Sequence, residues 1–539
     1  MNLSAENRPS LRAFEAMGAE QKLHQFSFGD IQWLTINGAP DSLNSLAQSL
    51  GQRTDLLRAT RNRRVMRVDG CPSVIVKHFL PGGPLGLLKS IIRGDPALRE
   101  WNALRRAARH ELPVPKAVAV GWRYRFAQRE SFLVTEALSD AAPLGQYLYG
   151  AQRAANALRR KAIEQAARVL RKAHDAGMFQ RDLHLDNLMV RLQETGPQVF
   201  LIDLQRVDFR RPLRIKERLI NLAELHGGCT AATHTERLRF LKTYLLELPG
   251  LGKDLRPLLL RLETMALKHR LRVWRSRQKR CLADNRDFVK LRVGRYMGCA
   301  RRDWTEGAFL SALSGPVELL SSCAVVKDSR TTTVGSGKVR ERAIHVKRYN
   351  FQGLGYALKD LFRASRAKRA WFAANSCVMR GLSVAGPVTY LERRRGRVLL
   401  ESYLVSHTVE GRSLTEIMAQ WAGPFPEKRD LIDGLARFLA RMHRHQVANR
   451  DLKGDNLIVS TKGSERHVFF IVDFDGVEIG PVSWRTRVKN LTRLEREFRG
   501  SAAITRTDRL RFLKTYLGPR FGDQWKKFWR GVLRRVGVD

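Results

Sequence analysis

A long-period internal repeat constrains this 539-residue chain more than any other feature. ERLRFLKTYL at 236–245 returns as DRLRFLKTYL at 508–517, an offset of 272. QRDLHLDNLMV at 180–190 returns as NRDLKGDNLIV at 449–459, an offset of 269. VFLIDLQRV at 199–207 returns as FFIVDFDGV at 469–477, an offset of 270. The same offset of 270 relates VIVKHF around Lys77 to IHVKRY around Lys347, and Trp101 to Trp371. Anchors that drift so little describe one duplicated domain of roughly 270 residues and exclude a solenoid of short units. A single core would in any case be hard to build at this length. The cut is expected in the basic segment 266–302, giving domains 1–282 and 283–539.

Within each copy the patterning changes from strand to helix. The first copy opens with short strands, including RVMRV and VIVKHF joined through Asp69-Gly70, a strong hairpin signal. A basic amphipathic helix, PALREWNALRRAARH, is followed by the strands KAVAV and SFLVTEAL. ANALRRKAIEQAARVLRKAHDAG then carries Ala and Leu at helical spacing. Beyond it come a polar loop, a buried strand and a helical end. Strands first and helices second predict an α+β fold with a cleft between two lobes.

Composition narrows the partners. The chain is 43% hydrophobic and 8% aromatic, which excludes a mostly disordered or collagen-like protein. Lys and Arg number 97 against 52 acidic residues, a formal charge of +45. Such a surface calls for an anionic partner: nucleic acid, an acidic membrane or a phosphorylated glycolipid. No nucleic-acid module is recognisable, so specific nucleic-acid binding is not expected. Six cysteines without a CxxC pair point to a reducing compartment. With no evident signal peptide and no run of 18 apolar residues, the expectation is a cytoplasmic chain. Its basic surface would allow peripheral attachment to the inner face of the cytoplasmic membrane.

Two recurring constellations carry chemistry. In the first copy Asp182 precedes Asn187 by five residues, and Asp203 closes the apolar run VFLID. The second copy has Asp451, Asn456 and Asp473 at nearly the same spacing. Phosphoryl transfer from a nucleotide needs this set: one carboxylate takes the proton of the attacking hydroxyl, while an amide oxygen and a second carboxylate hold magnesium on the phosphates. A lysine on an upstream strand must reach the phosphates, and Lys77 and Lys347 are placed for it. Glu100, on the following helix, would pair with Lys77 and orient it. A nucleotide and Mg2+ are therefore the expected cofactors. Read more plainly, the aspartates would be loop caps and the lysines edge-strand charges; recurrence of the whole set in order favours catalysis. His174 and His443, just ahead of each loop, read as structural hydrogen bonders, and the tryptophans and cysteines as core.

Here the sequence resembles the protein-kinase-like superfamily. RDLHLDN and RDLKGDN stand where the catalytic loop would be, and LID and VDFDG where the magnesium aspartate would be. More narrowly it resembles the bacterial lipopolysaccharide kinase family, the Kdo and heptose kinases of the inner core, through REWNAL, SRAKRAW and the closing RLRFLKTYL. The resemblance implies two tandem bilobal domains, each with a β-rich first lobe and a helical second lobe. It also implies transfer of the γ-phosphate of ATP to a sugar hydroxyl of the lipopolysaccharide core. Alternatives are a protein kinase and a tandem pseudokinase scaffold. Neither copy shows an APE-type segment, and both keep the base, Asn and Asp, which argues against each alternative in turn.

The copies depart from the pattern in different places. Gln180 and Asn449 stand where protein kinases carry His. The first copy has no glycine between Gly51 and Gly70 to make a phosphate-covering loop, whereas VGSGKV at 334–339 could make such a turn in the second. Ala370 aligns with Glu100, so Lys347 lacks the helix glutamate. Lys453 follows Asp451 by two residues, as in serine/threonine kinases, where the first copy has His184.

Overall fold

A computed structural model describes residues 23–36, 55–60, 62–69, 73–80, 94–125, 128–150, 155–229, 232–246, 255–350, 363–421, 425–461, 467–518 and 521–537. The chain forms two compact units, Met1–Arg270 and Leu271–Asp539. This division falls earlier than the 282/283 cut drawn from the sequence, because the basic segment there begins as one helix, Arg256–Arg277. Leu262 and Ala266 in that helix join the core of the first unit. Trp274, farther along, lies against His445 and Arg380 in the second.

In the first unit seven antiparallel strands run β1 (Leu23–Phe28), β2 (Ile31–Ile36), β3 (Asp55–Thr60), β4 (Arg63–Val68), β5 (Val74–Phe79), β6 (Ala117–Arg125) and β7 (Gln128–Glu136). Their order in the sheet is β1-β2-β6-β7-β5-β4-β3. The β4–β5 hairpin forms as the Asp69-Gly70 signal predicts, with Val68 opposite Val74, although Gly70 itself lies outside the described residues. Period-two alternation in β5 sends Val74 and Val76 into a small cluster with Trp33 and Phe132. Phe79 joins the core on the opposite face, beside Trp101. Lys77 shares that face and so points toward helix α1 (Pro96–Arg109). Asp95 caps α1 through Leu98 N at 3.0 Å, and Pro96 supplies the pre-set first turn.

The second unit repeats the plan. Its strands β12 (Phe288–Val293), β13 (Tyr296–Arg301), β14 (Ala324–Asp328), β15 (Thr332–Val339), β16 (Arg342–Tyr349), β17 (Pro387–Arg395) and β18 (Val398–His407) take the order β12-β13-β17-β18-β16-β15-β14. Helix α7 (Arg366–Met379), capped by Ser365, matches α1 in length and position. Trp101 and Trp371 are fully buried at equivalent places. VGSGKV is not a turn: Gly335 and Gly337 lie inside β15. A Cβ on Gly335 would meet Cys323 Cβ at 2.7 Å, and one on Gly337 would meet Cys323 Sγ at 2.6 Å. The glycines admit the segment following helix α6 (Pro316–Ser321), not a phosphate.

Helices α2 (Asn156–Asp175) and α4 (His234–Leu245) carry the second lobe of the first unit, with α3 (Ile215–Gly228) between them and α5 (Arg256–Arg277) after. Their counterparts are α8 (Phe425–Arg444), α9 (Trp484–Phe498) and α10 (Arg506–Leu517). The repeated RLRFLKTYL is explained locally. Thr233 with Glu236 and Thr505 with Asp508 form capping boxes that start α4 and α10. The Tyr244 and Tyr516 hydroxyls reach His174 Nδ1 at 2.6 Å and His443 Nδ1 at 2.7 Å. His443 Nε2 meets Asn490 Oδ1 at 3.0 Å, and the same oxygen accepts from the backbone of Asn449 at 3.0 Å. In the first unit Asn221 Oδ1 likewise takes the Gln180 N–H at 3.1 Å. The histidines support the backbone that enters the loops carrying Asp182 and Asp451.

Burial pulls His174 down to about 3 and His443 down to about 4, so both are neutral in the folded chain. The unfolded chain protonates them near 6.5. Stability from this source is therefore complete above pH 6.5 and falls with pH toward 4, by about 1.4 kcal/mol per pH unit for each histidine. Urea unfolding at pH 7.5, 6 and 5 should show a shallower loss in His443→Gln than in the native chain. Gly337→Ala should cost about 1–3 kcal/mol through overpacking against Cys323 while leaving nucleotide affinity unchanged. Thermal unfolding and nucleotide titration of the same variant check this.

Candidate active site

Hydrogen bonding of short strands assembles each site. β8 (Met178–Gln180) pairs with β11 (Val207–Phe209), Gln180 opposite Val207. The Arg181 N–H extends the pairing to the Arg206 carbonyl at 2.9 Å. β9 (Leu188–Gln193) pairs with β10 (Gly196–Leu201), Leu188 opposite Leu201. One step beyond, Ile202 N–H reaches the Asn187 carbonyl at 2.9 Å, which sets Asn187 beside Asp203. The second unit does the same with β19 (Val447–Asn449) on β22 (Val477–Ile479) and β20 (Leu457–Ser460) on β21 (Val468–Ile471). Val472 N–H donates there to the Asn456 carbonyl at 3.2 Å. Gly476 permits the close approach, since a Cβ would lie 2.7 Å from Asp451 N.

In the first unit Lys77 Nζ donates to Glu100 Oε1 at 2.5 Å and lies 3.5 Å from Asp203 Oδ1. Glu100 is 1% exposed, so this is a buried ion pair between the sheet and α1. Burial works against the Lys77 charge, but attraction by Glu100 and Asp203 outweighs it and raises the ammonium's pKa. Burial pushes the Glu100 carboxyl up, with Lys77 opposing. Arg63, at the start of β4, donates to both Asp203 oxygens at 3.1 and 3.4 Å. Burial would raise Asp203, yet Lys77 and Arg63 together hold it below the usual carboxylate range. Asp203 adopts a left-handed backbone, φ 57° and ψ 57°, an unfavourable state for a non-glycine residue that concentrates at functional sites.

Asp182 is largely exposed, with Arg206 Nη1 at 3.7 Å from its carboxylate. Its carbonyl accepts from Asn187 Nδ2 at 2.8 Å, a bond across the loop that orients the amide. Asp451 is more enclosed by cations. Arg493 Nη2 lies 2.9 Å and Lys453 Nζ 3.3 Å from its Oδ1. Asn456 Nδ2 donates to the Asp451 carbonyl at 2.9 Å, repeating the first unit. Asn449, at the position preceding Arg-Asp, accepts from the Asp451 N–H at 2.9 Å and so supports the loop.

Lys347 Nζ has a different partner set. It lies 2.9 Å from Asp473 Oδ1 and 3.2 Å from Asp475 Oδ2. Ala370 does occupy the place of Glu100, buried on α7. Sequence reasoning did not select Arg63, Arg206, Tyr349, Arg366, Asp475 or Arg493. Period-two spacing could have found Tyr349, two residues beyond Lys347 on the same strand face. Asp475 could have been flagged two residues after Asp473. Arg63 and Arg493 reach their aspartates across 140 and 42 residues, and no local pattern announces them.

Each unit thus gathers a lysine, a carboxylate at the end of an apolar strand, an amide on the facing loop and an accessible carboxylate. That is machinery for transferring a phosphoryl group to a hydroxyl. The buried pair generates a stability prediction. Glu100→Ala should cost about 3–5 kcal/mol by leaving the ammonium underpaired, and Lys77→Met with Glu100→Leu should cost less than that. A double-mutant cycle by chemical denaturation measures the difference.

The model of the lipopolysaccharide kinase (Kdo/WaaP) family matches residues 92–244 and 324–516. The lipopolysaccharide core heptose(I) kinase WaaP of Escherichia coli K12 is 27% identical over 209 residues, covering 35% of this chain and 77% of that protein. The heptose(I) kinase WaaP of Pseudomonas aeruginosa is 29% identical over 159 residues, covering 28% of this chain and 59% of that protein. A solved structure of WaaP in complex with acyl carrier protein overlays with a TM-score of 0.34 at 21% identity, covering 41% of this chain and 91% of that one.

Proposed function

The chain belongs to the lipopolysaccharide kinase (Kdo/WaaP) family, whose pattern it carries twice, and from that premise we propose that it phosphorylates a sugar hydroxyl of the lipopolysaccharide inner core with ATP and magnesium. What supports this reading is the recurrence, in both units, of a lysine ion-paired to the strand-end aspartate and an Asn amide bonded to the loop of the second aspartate.

In this reading Asp182 and Asp451 accept the proton of the acceptor hydroxyl as it attacks the γ-phosphate. Lys77 and Lys347 neutralise the α- and β-phosphates, and Glu100 keeps Lys77 aimed at them. Lys453, 3.3 Å from Asp451, sits where it would steady the transferring phosphoryl group. Asn187 with Asp203, and Asn456 with Asp473, would hold magnesium. The donors fit that ion: each amide nitrogen is committed to a loop carbonyl, which leaves the amide oxygen as the ligating end beside a carboxylate oxygen. Bound there, magnesium would offset charge on the β- and γ-phosphates. Arg63 and Lys77 then exchange the Asp203 carboxylate for phosphate oxygens, for which guanidinium geometry is suited.

The acceptor is anionic, and the net charge of +45 matches it. No helix among the described residues is long and apolar enough to cross a membrane. Basic side chains near an acidic leaflet contribute about 1 kcal/mol each, so a modest patch suffices for peripheral attachment to the cytoplasmic face.

Transfer of labelled γ-phosphate from ATP to purified lipopolysaccharide core tests the proposal. The native chain should label the core, and Asp182→Ala with Asp451→Ala should lower transfer by at least 100-fold, in line with loss of general-base catalysis. Each single variant should retain part of the activity if both units turn over. A chain that binds ATP yet labels no core would overturn the glycolipid acceptor.

A further inference from the structure

The two units satisfy the same lysine in different ways, and the difference is concerted. At four positions related by the offset of 270, Phe79, Pro96, Glu100 and Gln205 in the first unit become Tyr349, Arg366, Ala370 and Asp475 in the second. The first unit places its carboxylate on α1, where Glu100 meets Lys77 at 2.5 Å. The second has Ala370 there, and every residue that replaces the glutamate converges on one carboxylate. Asp475 Oδ2 accepts from Lys347 Nζ at 3.2 Å and from Arg366 Nη2 at 2.7 Å. Its other oxygen accepts from the Tyr349 hydroxyl at 2.8 Å.

We propose that Asp475 is the positioning residue for Lys347, taking over from the loop after the strand-end aspartate the part that Glu100 plays from a helix in the first unit. The inference rests on the reading that the second unit binds nucleotide. Its chemistry is straightforward. An ammonium on the inner face of β16 must be held at one place to receive the phosphates, and a single carboxylate, Asp473, would be drawn away to magnesium once nucleotide arrives. A second carboxylate that stays with the lysine is then needed. Arg366 and Tyr349 fix Asp475 so that it stays. The consequence is functional. In the first unit the lysine is aimed by a carboxylate on α1 itself, whereas in the second it is aimed by a carboxylate on the loop after the strand-end aspartate, which Arg366 at the start of α7 and Tyr349 of β16 hold in place.

A biotinylated acyl phosphate of ATP reads the two lysines separately in the full chain. The lysine amine attacks the acyl carbon, the carbon–oxygen bond to the γ-phosphate breaks, ATP departs, and mass spectrometry quantifies acylated Lys77 and Lys347. Asp475→Asn should lower labelling of Lys347 at least fivefold at subsaturating probe while Lys77 changes less than twofold. Glu100→Gln should do the reverse. Adding Ala370→Glu to Asp475→Asn should restore Lys347 to within twofold of the native chain, which a merely structural role for Asp475 would not produce. If Ala370→Glu unfolds the second unit by circular dichroism, the reciprocal transplant decides. Glu100→Ala with Phe79→Tyr, Pro96→Arg and Gln205→Asp should then recover the Lys77 labelling that Glu100→Ala alone loses. Labelling of Lys347 unchanged by Asp475→Asn, or no recovery in the folded rescue variant, overturns the assignment. A native chain labelled at Lys77 but never at Lys347 overturns instead the reading that the second unit binds nucleotide, and this inference falls with it.

Discussion

A lysine ammonium on the inner face of a central strand is the constraint around which each unit is organised. Placed there, the charge must be met by carboxylates or it would cost several kcal/mol. Beside Glu100 in the first unit and Asp475 in the second, the strand-end aspartate of the second lobe is brought to the first lobe, with Lys77 and Asp203 3.5 Å apart and Lys347 and Asp473 2.9 Å apart. That requirement ties the sheet to the loops that follow β10 and β21. Through the strand pairings of Gln180 with Val207 and Asn449 with Val477, it also fixes the backbone that leads to Asp182 and Asp451. The helical lobe supports the arrangement from below, where a buried tyrosine, histidine and asparagine hold the backbone entering each loop.

Duplication has let the two copies meet the same demand with different residues. In the first, Arg63 from the β3–β4 hairpin covers Asp203. In the second, Arg366 meets Asp475, and Arg493 and Lys453 face Asp451. A hairpin without glycine that presents an arginine and a strand whose glycines serve packing both differ from a phosphate loop built of backbone amides. With 97 basic residues in the chain, cations are the readily available currency for meeting anions.

Much of this was legible beforehand. Repetition of RDLHLDN and RDLKGDN, of the apolar strands ending in Asp203 and Asp473, and of the closing tyrosine helices dictated two α+β units and a phosphotransfer chemistry. Local rules sufficed there: strand patterning for VIVKHF and helical spacing for α1 and α2. Where the reading went astray, two local meanings competed. Gly335 and Gly337 suit a turn and equally suit a strand approached closely by Cys323, and only the neighbour decides. The division between the units falls inside the basic segment 266–302, within the helix Arg256–Arg277.

The sequence by itself determined the repeat, the fold class, the family and the order of the chemical groups, because these depend on patterns spanning a few residues and on their recurrence. Tertiary structure alone decided which charges meet. Arg63 with Asp203, Arg493 with Asp451, and Tyr349 and Arg366 with Asp475 are contacts between residues far apart in the chain. An ion pair depends on distance and burial, which are set only when strands take their register and helices pack on them.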